Sequence, residues 1–158
     1  MGEIRLEIPA RAEYLALARQ VVAAAAAVEP RFRTERIDAL RLAVSEATTN
    51  AVESHADLGA DERIVIRCDL DEERIEVEVL DQGGGFDPGG VPVVPSPTDP
   101  SRLDYEHGLG IPIIRELTDE SEIRPSGAGT AVRLVVYRSA AAAARRGSEA
   151  VRAEPEER

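Results

Sequence analysis

The sequence contains no lysine, because all nineteen of its basic residues are arginine. A Walker A loop and a eukaryotic-type protein kinase both place a lysine on the phosphates of a bound nucleotide. The missing lysine therefore excludes both of these classes of ATP-binding protein. A nucleotide bound by this chain must be held by backbone N–H groups, arginines and a metal ion.

Cysteine and long apolar runs are also scarce. Cys68 is the single cysteine, which excludes an internal disulfide and fits a reducing compartment. It alternates with Ile64 and Ile66, and this pattern predicts a core thiol rather than a nucleophile. No apolar run reaches the roughly 20 residues of a membrane-spanning helix, and residues 1–5 lack the features of a signal peptide. We expect a cytoplasmic protein that does not enter a membrane.

Positive charge is in the minority, with a formal net charge of −11. A nucleic-acid surface needs basic patches to neutralise phosphates, so we expect no direct contact with nucleic acid. An acidic balance permits basic protein partners but mainly favours solubility. The length of 158 residues suits one domain with a buried core.

Apolar periodicity predicts an alternation of strands and helices. Strands are predicted at residues 4–8, 63–70, 74–80, 122–124 and 130–137, and helices at residues 11–28, at residues 34–56 and from residue 108. The order favours an α+β fold, a two-layer sandwich whose mixed, mostly antiparallel sheet is covered on one face by helices. We predict a domain over residues 1–138, followed by an Ala/Arg/Glu-rich tail, frayed or disordered, over residues 139–158. Glycine and proline at residues 87–107 predict a mobile lid that a bound nucleotide would order.

Two polar residues, Glu46 and Asn50, lie on one face of the predicted second helix. Residues four apart lie on one helix face, and the apolar stripe of this helix is centred roughly 120° away. That stripe consists of Ile37, Leu40, Val44, Ala47 and Ala51. An acid and an amide at this spacing can hold a metal ion and activate a hydroxyl or a water. The alternative interpretation is a solvated helix face.

Three glycine-containing segments follow this helix. Asp81-Gln82-Gly83-Gly84-Gly85 ends an apolar strand, where the carboxylate can accept a hydrogen bond from an exocyclic amine. His107-Gly108-Leu109-Gly110 opens a helix, whose N–H groups suit phosphates. Gly129-Thr130 enters the last strand, where a hydroxyl can reach a bound base. Taken singly, these segments are also compatible with an Asx turn, a glycine loop and ordinary β propensity.

Taken together and in this order, the segments resemble the ATP-binding domain of DNA gyrase, histidine kinases and MutL, the GHKL superfamily with its Bergerat fold. Residues 42–50 resemble its N-box, residues 81–85 its G1 box, residues 108–110 its G2 box and residues 129–130 its last glycine motif. Ser-Glu-Ala-Thr-Thr-Asn-Ala, Gly-Gly-Phe-Asp-Pro and Gly-Leu-Gly-Ile-Pro-Ile-Ile-Arg-Glu-Leu-Thr-Asp-Glu are similar to the bacterial anti-sigma regulatory factors that act as serine/threonine protein kinases. The likeness covers residues 4–137.

The resemblance implies ATP and Mg²⁺ as cofactors and a role for each matched residue. Asn50 would coordinate Mg²⁺, and Glu46 would orient or deprotonate the serine hydroxyl of a partner protein. Asp81 would hold the adenine amino group, and Thr130 would reach the base. Backbone around the remaining positions would line the base and the phosphates; these positions are Gly83, Gly85, Gly108, Leu109 and Gly110.

The resemblance also implies partners: a sigma factor of RNA polymerase and an anti-anti-sigma antagonist that is phosphorylated, with homodimer formation implied by the likeness alone. Two alternatives remain at this point. One is a non-catalytic ATP-binding switch that sequesters a partner, and the other is a detached histidine-kinase catalytic domain.

The chain departs from the family pattern at the end of the N-box. Family members commonly carry a histidine four residues after the asparagine, where this chain has Ser54. His55 falls one residue later, and we assign it no function. Histidine kinases usually have a basic residue where this chain has Glu53. They also have a helical segment that presents a phosphorylatable histidine, and we find no such segment in this sequence. Both differences argue against the histidine-kinase alternative.

Overall fold

A computed structural model describes residues 2–54, 62–82, 110–126 and 129–145 of the chain. Two longer helices and one short helix accompany five strands. In chain order the elements are β1 (Gly2–Pro9), a 3₁₀ turn (Ala12–Tyr14), α1 (Leu15–Ala27), α2 (Thr34–Ser54), β2 (Arg63–Leu70), β3 (Arg74–Leu80), α3 (Gly110–Leu117), β4 (Glu120–Ser126) and β5 (Gly129–Tyr137).

The strands form one sheet in the order β1-β2-β3-β5-β4, and every pairing between them is antiparallel. β2 and β3 form a hairpin, whose turn is fixed by Asp71: its Oδ1 accepts the N–H groups of Glu73 and Arg74, both at 2.8 Å. β5 lies between β3 and β4, so the last strand completes the centre of the sheet. The predicted α+β fold is confirmed, with antiparallel pairing throughout the described strands.

The core lies between the helices and one face of the sheet. Alternating residues of three central strands are buried there, namely Ile64, Ile66, Cys68, Ile75, Val77, Val79, Val132, Leu134 and Val136. The helices supply the facing layer, with Ala18, Val22, Val44 and Ile114 fully or almost fully buried. Burial, reinforced by the neighbouring charge of Asp69, raises the pKa of the Cys68 thiol to about 12, so this thiol is a core group as predicted.

The other face of the sheet carries ion pairs and a small apolar cluster. Arg133 on β5 pairs with Glu76 on β3 through bonds of 2.7 and 2.9 Å. Beyond β5, residues 140–145 are helical, and Ala142 packs against Val135 and Tyr137. The first residues of the predicted tail therefore contact the sheet. None of the described helices combines the length and the apolar character that crossing a bilayer would require.

Candidate nucleotide site

Glu46 and Asn50 are positioned by α2, whose other face is locked into the core. The residues of the predicted apolar stripe are buried or packed against the core, with Leu40, Val44, Ala47 and Ala51 at most 3% exposed and Ile37 partly buried. Glu46 and Asn50 themselves are half-buried, one helical turn apart. The core thus fixes the direction in which both polar side chains point.

The first residue of α3, Gly110, lies directly against this pair. A methyl group added at Gly110 would meet Asn50 Nδ2 at 2.9 Å and Oδ1 at 3.1 Å, and Glu46 Oε2 at 3.3 Å. Pro112 is the third residue of α3 and so lies in its first turn, where a missing N–H costs nothing. The N-terminal end of a helix, with its exposed N–H groups and partial positive charge, is therefore brought to the acid–amide pair.

Asp81 and Thr130 form a second part of the site, where β3 ends and β5 begins. The Asp81 N–H donates to the Thr130 carbonyl at 2.9 Å, and the Thr130 N–H donates to Asp81 Oδ1 at 3.3 Å. The backbone bonds continue the β3–β5 ladder by one residue and hold the carboxylate beside the last strand. Thr130 Oγ1 is buried and has no hydrogen-bond partner among the described residues. A buried hydroxyl in that state is costly, which is typical of a group that bonds a ligand.

Gly129 is required by the close approach of these two strand ends. Its φ is +134°, and an added Cβ would lie 1.9 Å from the Asp81 carbonyl oxygen. No side chain fits there, and L residues rarely adopt this φ. The glycine that precedes Thr130 is therefore fixed by backbone packing around Asp81.

One cavity joins the two parts. Its polar lining comes from Asn50, Ser54, Asp81 and Thr130, and apolar side chains such as Ile111 and Ile123 close it. The cavity measures about 30 Å³, the room of a single water-sized group, so a larger ligand would extend beyond it. Asn50 belongs both to this cavity and to the contact with Gly110, and Glu46 lies one turn further along α2.

The side chains of Glu46 and Asn50 are available for a ligand within the part of the chain that the structure describes. Among the described residues, neither the Glu46 carboxylate nor the Asn50 amide takes part in a hydrogen bond or ion pair. The described part of the chain also gathers no group of three His, Cys, Asp or Glu side chains that could hold a metal ion by itself. Any metal held here would need ligands from a bound molecule or from elsewhere.

Five of the nine predicted site residues are described by the structure, namely Glu46, Asn50, Asp81, Gly110 and Thr130. Gly83, Gly85, Gly108 and Leu109 lie outside the described residues, as do His55 and the predicted lid at 87–107.

Ser54 is a residue of the site that the sequence motifs did not indicate. It lines the cavity and donates to the Ala51 carbonyl at 2.9 Å. The signal was present, because Ser54 follows Asn50 by the same four residues that separate Asn50 from Glu46.

Comparison with known proteins shows the family of this chain. The family model of the histidine kinase-like ATPase domain matches residues 8–136. The serine-protein kinase RsbW of Bacillus cereus strain AH187 is 36% identical over 127 residues, covering 77% of this chain and 76% of the relative. RsbW of Bacillus pumilus strain SAFR-032 is 35% identical over 133 residues, covering 80% and 81%.

A solved structure of the RsbU and RsbW domains of Rv1364c from Mycobacterium tuberculosis shares the fold, with a TM-score of 0.61 at 17% identity. That match covers 86% of this chain and 32% of the other. The predicted kinase class is confirmed at the level of the family: the chain belongs to the histidine kinase-like ATPase domain family and, within it, to the group of the RsbW serine-protein kinases.

Proposed function

We propose that this chain is a cytoplasmic anti-sigma factor that uses Mg-ATP to phosphorylate a serine or threonine of an anti-anti-sigma antagonist. The observation that carries the proposal is the contact of Gly110 with both Glu46 and Asn50. It joins an acid and a helix N-terminus to Asn50, and Asn50 lines the same cavity as Asp81 and Thr130. A kinase needs these groups together: a base-binding end, a phosphate-binding end and a carboxylate next to the phosphates.

The polar groups at Asp81 and Thr130 suit the hydrogen-bonding edge of adenine. The Asp81 carboxylate accepts hydrogen bonds and so matches the exocyclic amine of adenine, whereas a carbonyl at the same ring position would be repelled. The buried Thr130 hydroxyl can donate to a ring nitrogen and would gain the partner that the described residues do not supply. Apolar neighbours such as Ile111 and Val79 supply contacts for the ring faces.

The groups at Asn50 and Gly110 suit the phosphates and Mg²⁺. Asn50 Oδ1 would be the protein ligand to Mg²⁺, which takes oxygen ligands and usually completes its shell with phosphates and waters. The absence of a side chain at Gly110 leaves room beside Asn50, and the start of α3 offers partial positive charge. Bound Mg²⁺ would neutralise charge on the transferred phosphoryl group.

Glu46 is the proposed catalytic residue. Its carboxylate lies beside Gly110, on the phosphate side of Asn50, where the hydroxyl of a partner protein would enter. Accepting a hydrogen bond from that hydroxyl would orient the oxygen. The carboxylate would take its proton as the oxygen bonds to the γ-phosphorus and the bond from that phosphorus to the bridging oxygen breaks, with ADP as the leaving group. Positioning and charge neutralisation account for most of phosphoryl transfer, so no phosphate-binding lysine is needed.

The partners are proposed from family membership. Relatives at 35–36% identity are named serine-protein kinases, and the motifs resemble factors that bind a sigma factor and phosphorylate its antagonist. We therefore expect a sigma factor, an antagonist protein with an acceptor serine or threonine, and a homodimer of this chain.

The test is transfer of the γ-phosphate of labelled ATP to antagonist proteins from the same cell. We expect Mg-dependent phosphoserine or phosphothreonine, with Glu46→Gln lowering the rate by about 100-fold or more, as removal of a general base does. Glu53→Gln is the matched control, because Glu53 is an exposed acid on the same helix and should leave the rate unchanged.

Transfer that survives Glu46→Gln would reject Glu46 as the base. Tight ATP binding with no transfer to any antagonist would favour a non-catalytic switch. An acid-labile product would favour a histidine-kinase domain.

A further inference from the structure

A compact set of bonds ties the start of α2 to the junction between α3 and β4. Arg36, the third residue of α2, forms an ion pair with Asp119 through Nη2. The same guanidinium donates from Nε and Nη2 to the Tyr137 carbonyl at 3.1 and 2.9 Å. Asp119 Oδ2 also accepts the Tyr137 N–H at 2.7 Å. Within this set, each of the three residues therefore bonds to the other two. We call the set the Arg36–Asp119 clamp.

The clamp holds the far end of the helix that carries Gly110. α3 has only eight residues, and Asp119 follows its last residue by two positions. Gly110, at the other end, contacts Asn50 and Glu46. Glu46 and Asn50 lie 10 and 14 residues beyond Arg36, respectively, or about 15–21 Å along α2 at 1.5 Å per residue. α3 therefore runs antiparallel to α2 and is attached to it at both ends.

A short helix held at one end only can slide or rotate against its neighbour. The side chains between the two ends of α3 are apolar, with Ile111 and Ile114 buried, and apolar contacts are not directional. Direction comes from the bidentate geometry of the guanidinium, which is fixed by a carboxylate and a carbonyl together. The clamp thus adds direction to the backbone bond at the same end, in which the Asp119 N–H donates to the Val135 carbonyl at 2.9 Å, and it ties this end of α3 to α2.

We propose that Arg36 and Asp119 are positioning residues for the phosphate end of the nucleotide site. They touch neither nucleotide nor substrate; they fix where Gly110 lies relative to Asn50 and Glu46. The inference rests on the proposed function for its effect on ATP, but its structural part concerns the chain without nucleotide.

The alternative role is stability alone, and the chain offers a control for it. Arg133 and Glu76 form another bidentate pair, on the sheet face away from the helices. Side-chain exposure is similar in the two pairs, at 31% and 29% for Arg36 and Asp119 and at 23% and 21% for Arg133 and Glu76. Arg133 also donates to Glu120 Oε2 at 3.3 Å, next to Asp119, but Arg133→Gln removes none of the bonds of the clamp.

The experiment compares Arg36→Gln, Asp119→Asn and Arg133→Gln in the full chain. We expect the two clamp variants to raise the Kd and KM for ATP by about tenfold, since a shift near 1 Å can cost up to ~100-fold. Arg133→Gln should lower the melting temperature comparably and leave the Kd for ATP within about twofold. Arg36→Lys keeps the charge but loses the paired N–H donors of the guanidinium. Its Kd for ATP should lie between the values of wild type and Arg36→Gln.

A second readout needs no nucleotide. In the clamp variants, amide hydrogen exchange across α3 should become faster and the side-chain amide resonances of Asn50 should shift, whereas Arg133→Gln should change neither. If Arg36→Gln does not fold, Arg36→Lys and Asp119→Asn decide both readouts.

Clamp variants with wild-type exchange and a wild-type Asn50 signal would overturn the inference, as would an equal loss of ATP affinity in Arg133→Gln. A wild-type chain that binds no ATP would instead overturn the proposed function, and the nucleotide-free readout would still decide the clamp.

Discussion

At the scale of single residues, two glycines of the site are fixed by different neighbours. Gly110 faces the ends of two side chains, Asn50 and Glu46, which can shift if space is needed. Gly129 faces backbone at Asp81, which cannot move without disturbing the sheet. The same substitution should therefore affect binding at one position and stability at the other.

For Gly110→Ala we predict weaker ATP binding with no loss of stability. The added methyl displaces the Asn50 amide, and a tenfold rise in Kd corresponds to about 1.4 kcal/mol. Alanine suits a helix better than glycine, so the free energy of unfolding should stay level or rise by about 0.4–1 kcal/mol. Calorimetric titration with Mg-ATP and urea unfolding measure the two effects. Gly2→Ala is the control, since a methyl group there meets nothing within 4 Å. Unchanged affinity in Gly110→Ala would contradict the prediction.

For Gly129→Ala we predict a loss of more than about 2 kcal/mol in the free energy of unfolding, because strain and a backbone clash combine. The φ of +134° and the 1.9 Å approach to the Asp81 carbonyl both have to be relieved. Urea unfolding against wild type and Gly2→Ala gives the value. A loss below about 0.5 kcal/mol, the range of ordinary surface substitutions, would show that the strand ends adapt.

Helical spacing predicted the Glu46 and Asn50 face because it is a local property of one element. Helical spacing could not predict that Thr130 Oγ1 would be buried with no hydrogen-bond partner among the described residues. This burial depends on packing between elements that are far apart in the chain. Nor did helical spacing draw attention to Arg36, whose partners Asp119 and Tyr137 lie 83 and 101 residues away. Contacts of this kind become visible only once the sheet has formed.

At the scale of elements, periodicity predicted the strands and helices, but not how they are arranged. The alternation in β2, β3 and β5 identified the buried faces correctly. The insertion of β5 between β3 and β4 is a long-range pairing that no local pattern records. On the opposite face, Arg133 of β5 and Glu76 of β3 form a cross-strand ion pair, and Glu76 also pairs with Arg74 of its own strand.

These ion pairs predict a pH dependence of stability. The hydrogen bond from Arg133, together with the charges of Arg133, Arg74 and Arg124, lowers the pKa of Glu76 despite partial burial. A lowered folded-state pKa means that the contribution is complete above the unfolded value, near 4.3, and disappears as the pH falls through the folded-state value.

Glu76→Gln should therefore lower the free energy of unfolding near neutral pH, by less than about 1 kcal/mol for a partly exposed pair, and the difference from wild type should vanish in acid. Urea unfolding between pH 7 and pH 3 measures it. Glu3→Gln, at an exposed position of β1 with no ion pair among the described residues, should show no such trend. A difference that stays constant across this range would contradict the assignment.

At the scale of the whole molecule, one helical layer fixes the site and the sheet supports it. α2 gives Glu46 and Asn50, α3 brings Gly110 to them, and the β3–β5 junction brings Asp81 and Thr130 to the cavity that Asn50 also lines. The fold class followed from the order of elements and from the family motifs. The enzymatic class follows from family membership, because a fold alone hosts many chemistries.

The central claim is that this cavity binds Mg-ATP through Asp81 at the base and Asn50 at the phosphates. The most direct measurement is calorimetric titration of ATP into wild type, Asp81→Asn and Asn50→Ala, each with Mg²⁺ and with EDTA. We predict saturable binding of ATP to wild type, which EDTA weakens. Asp81→Asn should lose about tenfold or more in affinity for ATP, because the hydrogen-bond partner of the base is changed. Asn50→Ala should retain residual binding that no longer depends on Mg²⁺. Wild-type affinity and Mg²⁺ dependence in both variants would contradict the account.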